Sequence, residues 1–150
     1  MVPTGHLHLF VTAMDDYLNI GSLIAARLRD QFPDIPVIEQ WMANEREEPK
    51  VPVIIWVEIE ADNPMAAVEM HGRNQVYQTW AVVVVCRKPN TNAGVTIGRM
   101  ITALSGWSPG EMYDPLKRVQ STYKSEAIQT GTFYFPLAFQ TDFFFPPLNV

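Results

Sequence analysis

The chain has 150 residues, 47% hydrophobic and 18% charged, with sixteen acidic side chains against eleven basic ones and a net charge of −5. That length and texture exclude a disordered tail and predict one globular domain over residues 1–150 with a sizeable core, residues 1–13 forming an N-terminal arm. The acidic balance argues against a general nucleic-acid binder, which needs a basic face, and the single cysteine, Cys86, excludes an internal disulfide and a four-cysteine zinc site.

The N-terminus, MVPTGHLHLFVTAMDDY, lacks the basic start and long apolar run of a secretory signal. The longest purely apolar run, Ala81–Cys86, falls far short of the roughly 20 residues that span a bilayer. A soluble protein made in a reducing compartment is expected, without a membrane partner. His6–Val11 reads either as a short strand or as a loose arm.

Met14–Phe32 carries a helical pattern. Tyr17, Ile20, Ile24, Leu28 and Phe32 recur at three- and four-residue spacings, with Asp16, Asn19, Arg27 and Asp30 mostly elsewhere. Thr12 and Asp15 make a capping pair, Asp15 and Asp16 suit the positive end of the helix dipole, and Pro33 and Pro36 stop the helix. After the charged loop NEREEPK (Asn44–Lys50), the stretch VPVIIWVEIE (Val51–Glu60) alternates as a strand with Val51, Val53, Ile55, Val57 and Ile59 on one face. Asp62-Asn63-Pro64 then predicts a turn, and Gly72 another.

Val76–Arg87 is the second strand. It is apolar on both faces from Ala81 to Cys86, as a central strand covered on each side should be, and four consecutive valines favour strand over helix. A second helix is predicted over about Ala93–Ser105, with Ile97, Met100, Ile101 and Leu104 on one stripe, and Gly94 and Gly98 allowing close approach to the sheet. Gly106 and Pro109 close it, and Trp107–Leu116 is an irregular loop. The last strand holds Phe133, Phe135, Leu137, Phe139, Phe143 and Phe145 on odd positions, interrupted by Thr141, so most of its aromatics are core, with a surface patch near Phe144. Pro136 cannot donate to a ladder and predicts a sheet edge or a bulge. A strand around Val119–Gln129 pairs with the last one through the turn at Thr130-Gly131. The element order predicts an α+β fold: a mainly antiparallel sheet with two helices packed on one face.

Chemistry-bearing groups are sparse. His6 and His8 form an HxH pair without a third metal ligand at suitable spacing, and His71 is far away in sequence. Cys86, at the end of a valine-rich strand, reads as a buried inert thiol rather than a nucleophile. Glu58 and Glu60 share a strand face and, with Asp62 and Glu69, fit solvent exposure better than acid–base catalysis. GVTIG (Gly94–Gly98) lacks the lysine and spacing of a phosphate loop, and the basic residues are scattered. No enzyme activity, metal or cofactor is predicted.

The helix containing LIAARLRDQFP, the strands VPVIIWVEIE and QVYQTWAVVVVCRKP, the helix with MITALSGW and the closing TFYFPLAFQTDFFF follow one another over about residues 14–146. In order and texture this chain resembles the tail-terminator and tail-completion proteins of tailed bacteriophages. The resemblance implies a structural protein of the virion tail and neck, made in the cytoplasm of the host bacterium. It implies a ring, commonly a homohexamer, that caps the head-proximal end of the tail tube, stops its polymerisation and joins tail to neck. Its partners would be further copies of itself, the tail tube protein, a neck or connector protein and, in contractile tails, the tail sheath. DNA would pass through the lumen without specific binding. Candidate subunit or partner contacts are Arg46, Glu47 and Glu48 in the charged loop, Arg73 and Asn74 at the end of the Ala61–Asn74 excursion, and Trp107, Met112 and Tyr113 in the loop after the second helix. Alternative readings are another phage connector or baseplate component, a small-molecule-binding α+β module, and a minor hydrolase that would need a working Cys86 or carboxylate pair.

Overall fold

A computed structural model describes residues 16–39, 52–65, 72–87, 92–127 and 131–147. In chain order its elements are α1 (Asn19–Gln31), β1 (Val37–Glu39), β2 (Val53–Pro64), β3 (Asn74–Arg87), α2 (Ala93–Leu104), β4 (Lys117–Val119), β5 (Glu126–Ala127) and β6 (Thr132–Phe145). The strands form one sheet in the order β1-β2-β3-β6-β4, with β5 pairing further along β6. All pairings are antiparallel except β1 with β2. This is the α+β architecture expected from the sequence.

The valine run makes β3 the centre of the sheet. Branched side chains fill a pleated surface on both sides, and β3 pairs along nearly its whole length with β2 and with β6. Trp80, Val82 and Val84 face the main core, together with Ile20, Ile24 and Leu28 of α1, Met100 and Leu104 of α2, and Leu137 and Phe139 of β6. Ala81, Val83 and Val85 point the other way and form a second buried cluster with Trp56. Each large apolar side chain fully withdrawn from water contributes on the order of 2 kcal/mol, which is why the periodic stripes dictate where the helices sit.

Several local expectations change. α1 is helical from Asn19 rather than Met14, after a turn in which the Leu18 amide donates to Asp16 Oδ1 at 2.9 Å. The Thr12–Asp15 capping pair lies outside the described residues. Asp62-Asn63-Pro64 is not a turn: β2 continues through it, because a register shift between Ile59 and Ala61 leaves Glu60 as an extra residue and the ladder resumes with Thr79 to Val76. Pro136 is not at a sheet edge, since it lies opposite Val83 of β3. Instead the outer ladder of β6 lapses there, with β4 ending opposite Ala138 and β5 beginning opposite Tyr134, so the missing N–H falls in a gap.

The close helix–sheet approach belongs to a different glycine from those expected. Gly94 and Gly98 have open space where a Cβ would stand, whereas a Cβ on Gly21 would lie 2.3 Å from Trp80 Cζ3. Gly21 and the buried Ala25, one turn apart on α1, let that helix lie down on the indole.

Candidate functional site

The polar groups that looked most like chemistry are bound up in structure. Asp62 Oδ1 accepts from Tyr17 Oη at 2.8 Å and from Gln78 Nε2 at 3.1 Å, and the buried Gln78 in turn accepts from Trp80 Nε1 at 3.1 Å. This chain of bonds ties the start of α1 to β2 and β3. Burial first, then the hydrogen bond and charge of Asp62, push the Tyr17 phenol up to about 12.

Glu60 is not a free surface acid as the alternation suggested. Its carboxylate accepts from Ser121 Oγ at 3.0 Å, from Thr122 Oγ1 at 2.7 Å and from the Thr122 amide. Residues 120–125 therefore leave the outer edge of β6 at Val119, reach across β6 and β3 to Glu60 on β2, and return to the edge at Glu126. From β4 to β2 there are three strand spacings, about 14 Å, which the six-residue excursion and the reach of the Glu60 side chain cover together. Glu60, the extra residue at the register shift, supplies the anchor for this strap. Cys86 is buried, and burial raises its thiol pKa, which keeps it protonated and unreactive. Among the described residues no group of three or more His, Cys, Asp or Glu is placed to hold a metal ion.

The candidate contact residues fall in different places. Arg46, Glu47 and Glu48 lie outside the described residues, as do His6, His8 and His71. Arg73 and Asn74 stand where the β2–β3 excursion rejoins the sheet; Asn74 is exposed and opens β3, while Arg73 Nε donates to the Pro146 carbonyl at 2.8 Å and its guanidinium lies over Phe144. The expected patch at Phe144 is thus half-covered by the chain's own arginine. Trp107, Met112 and Tyr113 do not form one open cluster. Tyr113 is buried with its ring edge-on to Phe143, and Trp107 and Met112 pack against the core, so the loop after α2 supplies its own cover.

Two charged features were not legible in the sequence. An open groove of about 600 Å³ runs between α1 and α2, lined by Arg27, Gln31, Phe32, Val95, Arg99 and Thr102 among others. Arg99 stacks over Phe32 at 5.3 Å and Arg27 over Trp107 at 5.5 Å. Arg27 Nε also donates to the Ala103 carbonyl at 3.3 Å. Among the described residues neither guanidinium meets a carboxylate. The second feature is an acidic pair at the far end of the sheet. The Asp114 amide donates to the Asp142 carbonyl at 3.1 Å, and Thr141 Oγ1 to the Asp114 carbonyl at 2.6 Å, which brings the two carboxyl groups together. The hydrogen bond that a protonated Asp114 carboxyl donates to the Asp142 carboxylate, and the negative charge of Asp142, raise the Asp114 pKa, with Lys117 acting against them.

A site made of helix groove, sheet edge and paired charges, around a core that spends its polar groups internally, is the build of an assembly component. The family model of phage tail terminator proteins matches residues 14–149, nearly the whole chain. The chain belongs to the phage tail terminator family. No curated protein matches it. A solved structure with 16% identity, covering 86% of this chain and 93% of its own, superposes with a TM-score of 0.53, which speaks for the fold alone. As a tail terminator, the protein has a structural role in the phage tail and works through contacts with other tail components. None of its described helices is long and apolar enough to cross a membrane.

Proposed function

We propose that this terminator assembles as a closed ring, commonly a hexamer, on the head-proximal end of the tail tube, stops tube polymerisation and joins the tail to the neck. The match of the family model to residues 14–149 carries this reading. A ring needs a head-to-tail contact that closes on itself, with one face complementary to the tube end and another that refuses the next tube layer. The tail tube protein, a neck or connector protein and, in a contractile tail, the last sheath layer are the partners. DNA slides through the lumen, and a net charge of −5 suits a wall that must not hold a polyanion. Arg46, Glu47, Glu48, Arg73 and Asn74 remain proposed contacts with a neighbouring subunit or the tube. The buried Tyr113 supports such contacts by holding its loop in place.

The test is tube growth. Purified tail tube protein polymerised with increasing amounts of this protein should give tubes whose length falls as the ratio rises, with one end blunted by a ring in electron micrographs. Tubes that keep growing at saturating protein, with no ring at either end, would remove the capping function.

A further inference from the structure

We propose that the groove of Arg27 and Arg99 between α1 and α2 docks the Asp114–Asp142 edge of a second copy of this chain. The inference rests on the ring reading above and names the subunit contact that such a ring requires. A head-to-tail interface joins two different patches of the same molecule, so each chain must carry both halves on separate surfaces. The groove and the acidic pair satisfy that condition. Arg29 Nη2 donates to the Val37 carbonyl at 2.8 Å and so ties the end of α1 to β1, and Val37 lies level with Ile55 of β2 and Val84 of β3. Asp142 lies opposite Tyr77, near the other end of β3. Seven residues of strand separate those levels, about 23 Å at the usual rise. Arg99, over Phe32 at the end of α1, therefore lies at a different level of the sheet from Asp114 and Asp142.

Charge complementarity selects the occupant. Both guanidinium groups lie over aromatic rings, which holds the planar fork in place while leaving N–H edges for a carboxylate. Val95, 64% exposed, and the ring of Phe32 add an apolar floor beside them. On the acidic side Asp114 is exposed beside Asp142, whose Oδ2 accepts from Gln75 Nε2 at 3.1 Å; Lys117 offsets the pair in part, and the two like charges gain further from a cation brought to them. A second copy supplies that complement in equal number, one acidic edge for each groove. A symmetric two-fold contact through the groove would set arginine against arginine, so the pairing favours a chain of subunits that closes into a ring.

Charge reversal with exchange tests the contact. Arg99 and Asp114 are both exposed, so Arg99→Glu and Asp114→Lys should fold, as checked by circular dichroism and thermal melting. Light scattering across a concentration series should show a closed oligomer for the native protein and subunit association weakened about 30-fold or more in each variant. A mixture of the two variants offers both the native pairing, the acidic edge of the Arg99→Glu chain with the groove of the Asp114→Lys chain, and the exchanged one, Glu at 99 with Lys at 114, and should recover an oligomer of alternating chains that neither variant forms alone. The doubly exchanged chain, Arg99→Glu with Asp114→Arg, should recover the oligomer. If both variants form the native oligomer, or if exchange restores nothing, this contact is wrong while the ring stands. If the native protein stays monomeric at every concentration, the proposal is overturned, and tube capping then decides the ring reading by itself.

Discussion

Substituting Gly21 by alanine separates two effects that act in opposite directions. In an ordinary helix interior alanine is favoured over glycine by about 1 kcal/mol, so propensity alone predicts a more stable protein. Here the new Cβ would stand 2.3 Å from Trp80 Cζ3, 2.7 Å from Cη2 and 3.0 Å from Cε3, against about 3.5–4.0 Å for comfortable carbon contacts. The indole has little room to give. It is fully buried, and its Nε1 is held to Gln78 Oε1 at 3.1 Å, which is itself held to the turn before α1 and to β2. Either α1 lifts from the sheet, exposing part of Ile20, Ile24 and Leu28, or Trp80 leaves its rotamer and breaks the polar chain. Overpacking of this kind costs about 1–3 kcal/mol or more, and with two ring atoms well inside contact distance the upper part of that range applies. After the propensity gain the net loss is about 2 kcal/mol, roughly 4–8 °C in melting temperature at this chain length. Equilibrium urea unfolding measures it, with Gly98→Ala as the control: that position has open space, so the same change on α2 should stabilise by about 0.5–1 kcal/mol. If Gly21→Ala were as stable as the native chain, the close packing of α1 on Trp80 would be refuted.

Three further perturbations follow from the site geometry. Removing the anchor of the strap with Glu60→Ala should cost about 2 kcal/mol, because charge-assisted bonds to Ser121 and Thr122 are lost together, and hydrogen exchange at the Thr122 amide should accelerate; unchanged protection there would sink the strap. Asp114→Asn should raise stability at pH 7 by a few tenths of a kcal/mol, modest because the site is exposed. Since the folded pKa of Asp114 lies above its ordinary 3.8, the folded state holds the proton longer than the unfolded one, so native stability falls as pH rises through that window. The advantage of asparagine should therefore vanish below about pH 3.8 in melting curves taken across pH, and a constant advantage would show that the carboxyl pair is not its source. Tyr17, pushed up to about 12, keeps its proton in the fold where the unfolded chain loses it near 10, so stability should decline between those values. Tyr17→Phe should lose about 1 kcal/mol at neutral pH and flatten that alkaline decline; an unaltered slope would assign it to another group.

The elements most legible in the sequence are those whose side chains act as a period. The stripe of Ile20, Ile24 and Leu28, the valines of β3 and the odd-numbered aromatics of β6 all face where their spacing says they should. Expectations failed where a neighbour overrides local composition. Asp62-Asn63-Pro64 has the chemistry of a turn, yet β3 offers it a continuing ladder once the bulge at Glu60 has restored the register. β1 escapes pattern reading because three residues after two prolines carry no period, and a parallel pairing with β2 is visible only in the assembled sheet. Gly21 did leave a signal: a glycine one turn before Ala25, beside an otherwise strong apolar stripe, marks a helix that must come close to something. Its partner, Trp80, lies too far along the chain for periodicity to find.

The same distinction explains why the candidate site was the least legible part. Charges that the fold satisfies internally, such as Glu60 and Asp62, look in sequence like free carboxylates, because their donors come from segments tens of residues away. Charges that meet no opposite charge in a salt bridge among the described residues, Arg27 and Arg99 in one groove and Asp114 with Asp142 at one edge, look in sequence like ordinary surface residues, because they become a patch only when two helices or a loop and a strand converge. A catalytic site would converge its titratable groups on one cavity of the same chain. Here, among the described residues, the groove arginines and the acidic pair lie on separate surfaces and are opposite in sign, so each gains from a partner outside the chain. For a structural protein of the phage tail, which works through contacts with other tail components, that is the arrangement physical chemistry favours: a core that resolves its own polar groups, and surfaces left to meet a partner.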